Sequence, residues 1–505
     1  MKIMKTIPIA AILLLLSIVH LQAQGVDDAM INSQILYEGT SRSIAMGNAT
    51  GAMGGDVTAI CINPAGLGLY RTSEFTFTTG IQRSLATTRY YEGLSTLGKT
   101  RMSIPNFGYV LAMECSNYKP LRYLQFSIGL TRTNDFNYRS QAKGMNPSSS
   151  LIDSYLQTIN GIDELFDGST DPGSYLHDYY PYNIHPAWQT YLIDQYDDSL
   201  GIYYDSPVPQ GHVCQNNVVN STGRSEEWTT ALAANIKDKW YFGASIGLKH
   251  IKRRMTRTYS ETPENPESSQ NSFQYWSFEE TLKDDAWGAN MKIGLIYAPI
   301  HSVRLGASCH TRTFFDFEES WSTLTKSTLP GTYYDRDYLY YSPNLNYTFE
   351  LLTPATYTAS AAFLFGQRGM ITADIDYLNF KKAKLNSDEY SYADTNDDIK
   401  DILGRSFNIR IGTEWRMYQY YLRGGAAYYG SPFGFGNRYG SVKKLGIGIG
   451  YVTDGGAYWD FAYELSQSTT AFTPYQVYVD DVNIVEDAIQ HLWRNKVTAT
   501  LKLKL

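Results

Sequence analysis

Residues of alternating character recur along most of this chain from Ser73 onward. Leu124, Phe126, Ile128 and Leu130 alternate with Gln125, Ser127, Gly129 and Thr131. Trp240, Phe242, Ala244, Ile246 and Leu248 alternate with small or polar residues. At the end of the chain Trp493, Val497, Ala499, Leu501, Leu503 and Leu505 oppose Arg494, Lys496, Thr498, Thr500, Lys502 and Lys504. A period of two with one apolar and one polar face is the pattern of a strand between lipid and a polar interior. It predicts fourteen strands, near 73–91, 101–115, 121–137, 224–236, 240–258, 273–297, 302–318, 353–365, 370–381, 405–416, 420–429, 441–453, 457–468 and 492–504.

The connections between them alternate in length. Short ones fall at Ser116–Pro120, Lys237–Lys239, Ala298–His301, Gly366–Gly369, Met417–Gln419 and Asp454–Gly456. Long ones fall around 92–100, 138–223, 259–272, 319–352, 382–404, 430–440 and 469–491. This describes a fourteen-stranded antiparallel transmembrane barrel of the outer-membrane type, with short periplasmic turns and long extracellular loops. The loop 138–223 is too long to be structureless. Leu151, Tyr155, Leu156, Ile159 and Ile162 recur in it at helical spacing, and Trp188 and Tyr191 share a face after Pro186. Two readings stay open for these residues: a self-packed cap, or an apolar landing groove for a hydrophobic ligand.

The stretch Gly39–Tyr70 breaks the pattern. It is crowded with Gly and Ala, keeps Ile44, Met46, Met53, Ile60 and Ile62, and shows neither period. Small residues at this density allow tight packing inside another structure, so a plug within the barrel is expected. Domain bounds follow: a leader at 1–23, a hatch at 24–72 and the barrel at 73–505. In the leader, Lys2 and Lys5 precede an apolar run from Ile7 to Val19, and Ala23 offers a cleavage site. The run is too short to span a bilayer.

Composition supports this architecture. The chain has 505 residues, 42 Tyr and 9 Trp, an abundance that suits a membrane–water boundary. Mean hydropathy is −0.32, as expected when only alternate strand residues meet lipid. The formal charge is −7, and removing two leader lysines makes it more acidic, which gives no footing for nucleic acid. Cys61, Cys115, Cys214 and Cys309 are scattered and form neither a disulfide framework nor a metal motif. There is no HExxH and no GxSxG, and Gly446, Gly448 and Gly450 alternate within a strand without a following Lys-Ser/Thr. No enzymatic activity, metal or cofactor is expected. Asp374, Asp376, Arg410, Glu414, Arg416, Arg423, Asp460, Glu464 and Lys496 fall on lumen faces. They read either as neutralising ladders between strands and plug, or, through Arg410 and Arg423, as donors to a carboxylate headgroup.

Gly39-Thr40-Ser41-Arg42-Ser43, Gly54-Gly55-Asp56 and Asn63-Pro64-Ala65-Gly66 together resemble the N-terminal hatch of the FadL/OmpP1/TodX family. The likeness is closest to the branch found in the Bacteroidetes. It implies a monomeric outer-membrane transporter for passive uptake of hydrophobic compounds such as long-chain fatty acids, in contact with outer-membrane lipids. It also implies that Asn63, Pro64 and Ala65 lie beside an inward bend of the third strand, with Gly54, Gly55 and Asp56 in the same gate. The mature N-terminus near Gln24–Met30 would reach into the binding pocket. The alternative is a non-transporting surface or secretion-accessory barrel that binds protein partners.

Overall fold

The computed structural model describes residues 25–115, 120–166, 168–199, 201–265, 273–329, 336–434, 437 and 439–505. The leader, part of the turn Ser116–Pro120 and part of the connection 259–272 lie outside them.

Fourteen antiparallel strands close into a barrel. They are β1 Glu74–Tyr90, β2 Gly93–Glu114, β3 Leu121–Asp135, β4 Val213–Ile236, β5 Trp240–Pro263, β6 Tyr275–Ile300 and β7 Val303–His310. The second half comprises β8 Thr356–Leu364, β9 Gly369–Asn379, β10 Arg405–Met417, β11 Tyr420–Tyr429, β12 Val442–Val452, β13 Tyr458–Phe472 and β14 Ala488–Lys504. Pairing of β1 with β14, from Glu74↔Lys504 to Arg89↔Ile489, closes the ring and leaves no free sheet edge there.

Three strands continue after a break towards the long-connection end. Tyr138–Asn146 extends β3 and pairs with β4. Phe314–Leu329 extends β7, and Leu345–Leu352 pairs with that extension before β8 begins. The expected loop at 92–100 is therefore wrong: β2 begins at Gly93, and Tyr91–Glu92 alone turns the chain. This stretch is mostly polar or small on both faces, so it carried no hydrophobic alternation to read. The loops 138–223, 259–272 and 319–352 are likewise partly strand.

The wall faces are as the pattern predicts. Phe242, Ile246, Leu248, Ile293, Ile447 and Val497 point outward and are exposed, while Thr498, Thr500 and Lys502 are buried inside. Arg416 is an exception to its expected lumen position. It lies at the strand end, is exposed, and donates from Nε to the Tyr418 carbonyl at 3.2 Å.

Inside sits the hatch. Helix α1 Val26–Ser33 is followed by α2 Ser41–Ala45 and two 3-10 turns, Val57–Cys61 and Pro64–Leu69. Each of the last three begins at a side-chain cap: Thr40, Asp56 and Asn63 accept from the amides of Ser43, Thr58 and Ala65. Glycines of the wall leave the room it needs. A Cβ on Gly446 would lie 2.3 Å from the Ile44 carbonyl oxygen, and one on Gly425 would lie 2.2 Å from Met46. Above the barrel, α3 Leu151–Ile159, α4 Pro172–Tyr179 and α5 Ile184–Gln189 form a cap with its own apolar core. A sixth helix, α6 Ala393–Ile402, packs against α1.

Candidate functional site

An irregular segment enclosed by a membrane barrel must find partners for its backbone without water. Here the polar lumen face supplies them. His310 Nε2 and Ser308 Oγ each lie 2.7 Å from the Ile62 carbonyl, Arg304 donates to Met53 O at 2.8 Å, and Gln125 donates to the carbonyls of Gly68 and Tyr70. Asp374 accepts from the Gly51 amide at 3.0 Å.

Ion pairs add a second set of contacts. Asp56 meets Lys502 at 2.8 Å, Arg42 meets Glu414 at 2.8 Å, Asp28 meets Arg253 at 2.7 Å, and Glu38 meets Lys496. Arg410 grips Asp376 with both guanidinium ends at 2.7 Å, and Arg423 bridges Glu414 at 2.5 Å and Asp460 at 2.6 Å. Both arginines are buried, at 1% and 7% exposure. The ladder reading describes these charges. Arg410 and Arg423 already hold carboxylates of the protein and are not open donors for a headgroup.

Asn63 is fully buried and uses all of its amide. Its Nδ2 donates to Gly51 O at 2.8 Å and Leu295 O at 3.3 Å, while Oδ1 caps the following turn. Pro64 and Ala65 press against Gly243 of β5, and Asn63 against Gly294 of β6. The tripeptide therefore lies beside β5 and β6, not beside a bend of the third strand as the resemblance implied. Gly54 has φ +59°, and a Cβ there would meet Leu69 at 2.2 Å. Gly55 has φ +62° with open space around it. Both need glycine, but only Gly54 also needs its lack of bulk.

The third strand does break, at another place. β2 and β3 pair from Glu114↔Tyr123 only as far as Asn106↔Thr131. The next residue of β2, Pro105, has no N–H to donate. β3 shifts register between Arg132 and Asn134 and ends as a strand at Asp135. The hatch binds β3 at this point: Leu36 donates to Thr133 O at 2.9 Å and Glu38 to Arg132 O at 3.0 Å. Two amides of the plug thus hold β3 where its pairing with β2 ends.

Above it lies a packed apolar cluster that the alternation of the sequence does not reveal. Phe315 and Phe317 of the β7 extension, Phe349 and Leu351 of the neighbouring segment, and Phe380, Tyr392 and Ile399 near α6 form one buried cluster. Phe317 stacks on Phe349 with centroids 4.7 Å apart. Ala29 of α1 is buried within it, with Val26, Met30 and Ile31 packed at its edge. The signal was present in Phe314-Phe315-Asp316-Phe317-Glu318. There Phe315 and Phe317 occupy the inner face, while Asp316 and Glu318 share the outward one with Phe314, so the inner face is the apolar one.

The cap residues are brought together, but as a core. Leu151, Tyr155 and Ile159 are 7%, 6% and 0% exposed, and Trp188 packs against them. Tyr191 lies outside with φ +55° and its ring beside Tyr338. A buried Glu261 anchors this cap, accepting from Ser150 Oγ at 2.6 Å, Tyr259 Oη at 2.5 Å, Gln215 at 2.9 Å, Trp276 at 2.8 Å and the Leu151 amide at 3.1 Å. Burial pushes the Asp153 carboxyl of α3 up to about 6. The arrangement in this region is a self-packed lid and not an open groove.

A closed barrel of fourteen strands, filled by an N-terminal hatch and roofed by helices, is the architecture of a plugged outer-membrane barrel. No protein-family model and no curated protein matches the sequence. Among solved structures it is similar to a Pseudomonas aeruginosa FadL homologue, at 12% identity and a TM-score of 0.53, over 93% of this chain and 99% of that one. It is similar also to the P. putida toluene transporter TodX, at 13% identity and a TM-score of 0.53, again over 93% and 99%. The fold is that of the FadL-type channels.

Proposed function

We propose that this protein is an exported, monomeric outer-membrane channel for passive uptake of hydrophobic molecules, with long-chain fatty acids as the first class to test. The observation that carries this reading is helix α1 packed into the aromatic cluster. An apolar ligand entering Phe317, Phe349 and Phe380 competes for the space that Ala29 and its neighbours fill. Displacing α1 pulls on the chain leading to Leu36–Glu38, which bonds to β3 where its pairing with β2 ends. Binding and opening are thereby coupled through about a dozen residues, without ATP or a cofactor. The TodX structure is described as a toluene transporter, which makes toluene the second ligand to test.

Uptake of a labelled fatty acid and of labelled toluene by cells making the protein tests this. Substituting Asp28 by Ala frees α1 from Arg253 and is expected to change uptake with the barrel still folded. Unchanged uptake of both ligands relative to cells lacking the protein would overturn the proposal.

A second reading draws on the closed lumen. The gap beside Tyr37, Ile62 and Arg410 holds only about 10 Å³, and the exposed hairpin Asp194–Asp205 presents stacked Tyr196 and Tyr203. A surface barrel that binds a protein partner would use such a hairpin. Normal uptake in a Tyr196→Ser, Tyr203→Ser variant separates this role from transport.

A further inference from the structure

The outward face of the wall changes character along β4, β5 and β6. Apolar residues such as Leu232, Ile246, Leu248 and Met291 give way to the exposed indoles Trp228 and Trp287, the latter stacked on His250 at 4.3 Å. Indoles in that position mark the edge of the hydrocarbon layer. Immediately beyond them, towards the long-connection end, the same outward face becomes basic.

Its cations are arranged against ordinary sheet economy. Arg224 of β4 stands directly opposite Lys252 of β5, and Arg254 of β5 directly opposite Lys283 of β6. Like charges in direct cross-strand register are destabilising, and two such pairs on adjoining strands leave part of the charge uncompensated. Glu226 takes Arg224 at 2.7 Å and Asp285 takes Lys252 at 3.3 Å. Glu318 stands opposite Asp285. Among the described residues, Arg254, Lys283 and the nearby Arg101 have no carboxylate within ion-pair distance.

These side chains do not stand on a convex surface. They border a hollow of about 870 Å³ that spreads across the wall from Arg101 and Met102 on β2 past the β7 extension to Thr348, with Asp285, Glu318 and Glu389 also on its lining. At Gly223, with φ +147°, the backbones of β4 and β5 approach so closely that a Cβ would lie 2.3 Å from the Lys252 carbonyl oxygen. The two strands are drawn together where the cations gather.

We propose that this hollow seats the phosphate-bearing headgroup of a membrane lipid in the leaflet at the long-connection end, its acyl chains lying along Leu232, Ile246 and Leu248. Position selects the occupant. A headgroup sits directly above a tryptophan belt, its phosphates meet Arg254 and Lys283 at the height where the charge is unpaired, and its chains continue over the apolar face below. Arginine offers a forked donor to phosphate oxygens, and the lysine opposite adds a second cation within reach of the same group. The inference concerns the outside of the barrel and does not rest on what passes through the lumen.

Native mass spectrometry of the purified full-length protein in detergent tests it, with lipid A and its fully dephosphorylated form as probes. The parent protein is expected to retain the phosphorylated form at least about tenfold better, the ratio of one charge-assisted contact. The double variant Arg254→Gln, Lys283→Gln should lose that preference. Lys443→Gln, an exposed cation on β12 remote from the hollow, should keep it. Heat-modifiable gel migration confirms that each variant is folded, as expected for outward side chains. Equal retention of both lipids by the parent, or an undiminished preference in the double variant, would overturn the proposal. Displacement of the lipid by inorganic phosphate at equal concentration would also overturn it, because the site would then be a solvent anion site and not a lipid seat.

Discussion

Removing Asp56 should loosen the hatch while leaving the barrel intact. Asp56 is fully buried and accepts from Thr40 Oγ1 at 2.8 and 2.9 Å, from the Thr58 amide at 3.0 Å and from Lys502 Nζ at 2.8 Å. An Asp56→Ala substitution strands the Lys502 ammonium beneath the hatch. Breaking one side of a buried pair costs about 3–5 kcal/mol. Asp460 stays 3.8 Å from Lys502, which favours the lower end, about 3 kcal/mol. Lys502→Met should cost a similar amount by stranding the carboxylate. The double variant strands neither charge, so its cost should fall short of the sum by about 2 kcal/mol, within the range for contacting residues. Hydrogen exchange of amides in 39–70, compared with those of β10 to β13, reads the two regions separately. Additive single effects, or loss of the barrel in Asp56→Ala, would refute the claim that charge pairing locks the plug independently of the wall.

Other outcomes follow from the same geometry. Asn63→Ala should leave the Gly51 carbonyl without its side-chain donor, costing about 1–3 kcal/mol in hatch protection while heat-modifiable migration stays normal. Gly54→Val should impair the hatch more than Gly55→Val, because both are strained by positive φ but only Gly54 also clashes; hydrogen exchange over 39–70 ranks them. Arg at Leu248 should cost about 2–4 kcal/mol in bilayer folding assays, whereas Arg at Thr500 meets no lipid and disturbs the Ser41 contact instead. The cap should respond to pH. Burial holds the Asp153 carboxyl up at about 6 in the folded lid, above the ordinary aspartate value of about 3.9, so the folded form binds the extra proton between those values. Stability from this group therefore falls as pH rises through that window, and protease resistance of 138–223 should be greater at pH 5 than at pH 7. Asp153→Asn should remove this part of the difference.

Strand number, strand facing and the plug were legible because each depends on a repeating constraint. Lipid demands an apolar residue at every second wall position, and a buried irregular segment demands small residues. Phe242 to Leu248 and Gly39 to Tyr70 carry those signals without any knowledge of neighbours. The extension of β2 through 93–100 was not legible, because a strand beyond the membrane needs no apolar face. The aromatic cluster was hidden for a related reason. Phe317 and Phe349 are separated in sequence by a long excursion, and only the register Phe317↔Phe349 brings them together. Arg410 and Arg423 illustrate the opposite limit: sequence placed them on the lumen face, but their occupation by Asp376, Glu414 and Asp460 is set by cross-strand pairing and hatch position. Asn63 was singled out by likeness, and its neighbours β5 and β6 follow from glycines at 243 and 294 whose meaning appears only once the hatch is in place.

The central claim is that a hydrophobic ligand enters the aromatic cluster in the place of α1. Photocrosslinking a diazirine-bearing fatty acid to the purified protein, then mapping adducts by peptide mass spectrometry, addresses it most directly. Adducts on Phe315–Phe317, Phe349, Phe380 and α1, competed by unlabelled fatty acid, are the predicted result. Adducts confined to the outward residues Phe242, Ile246 and Leu248, and unaffected by competitor, would contradict it.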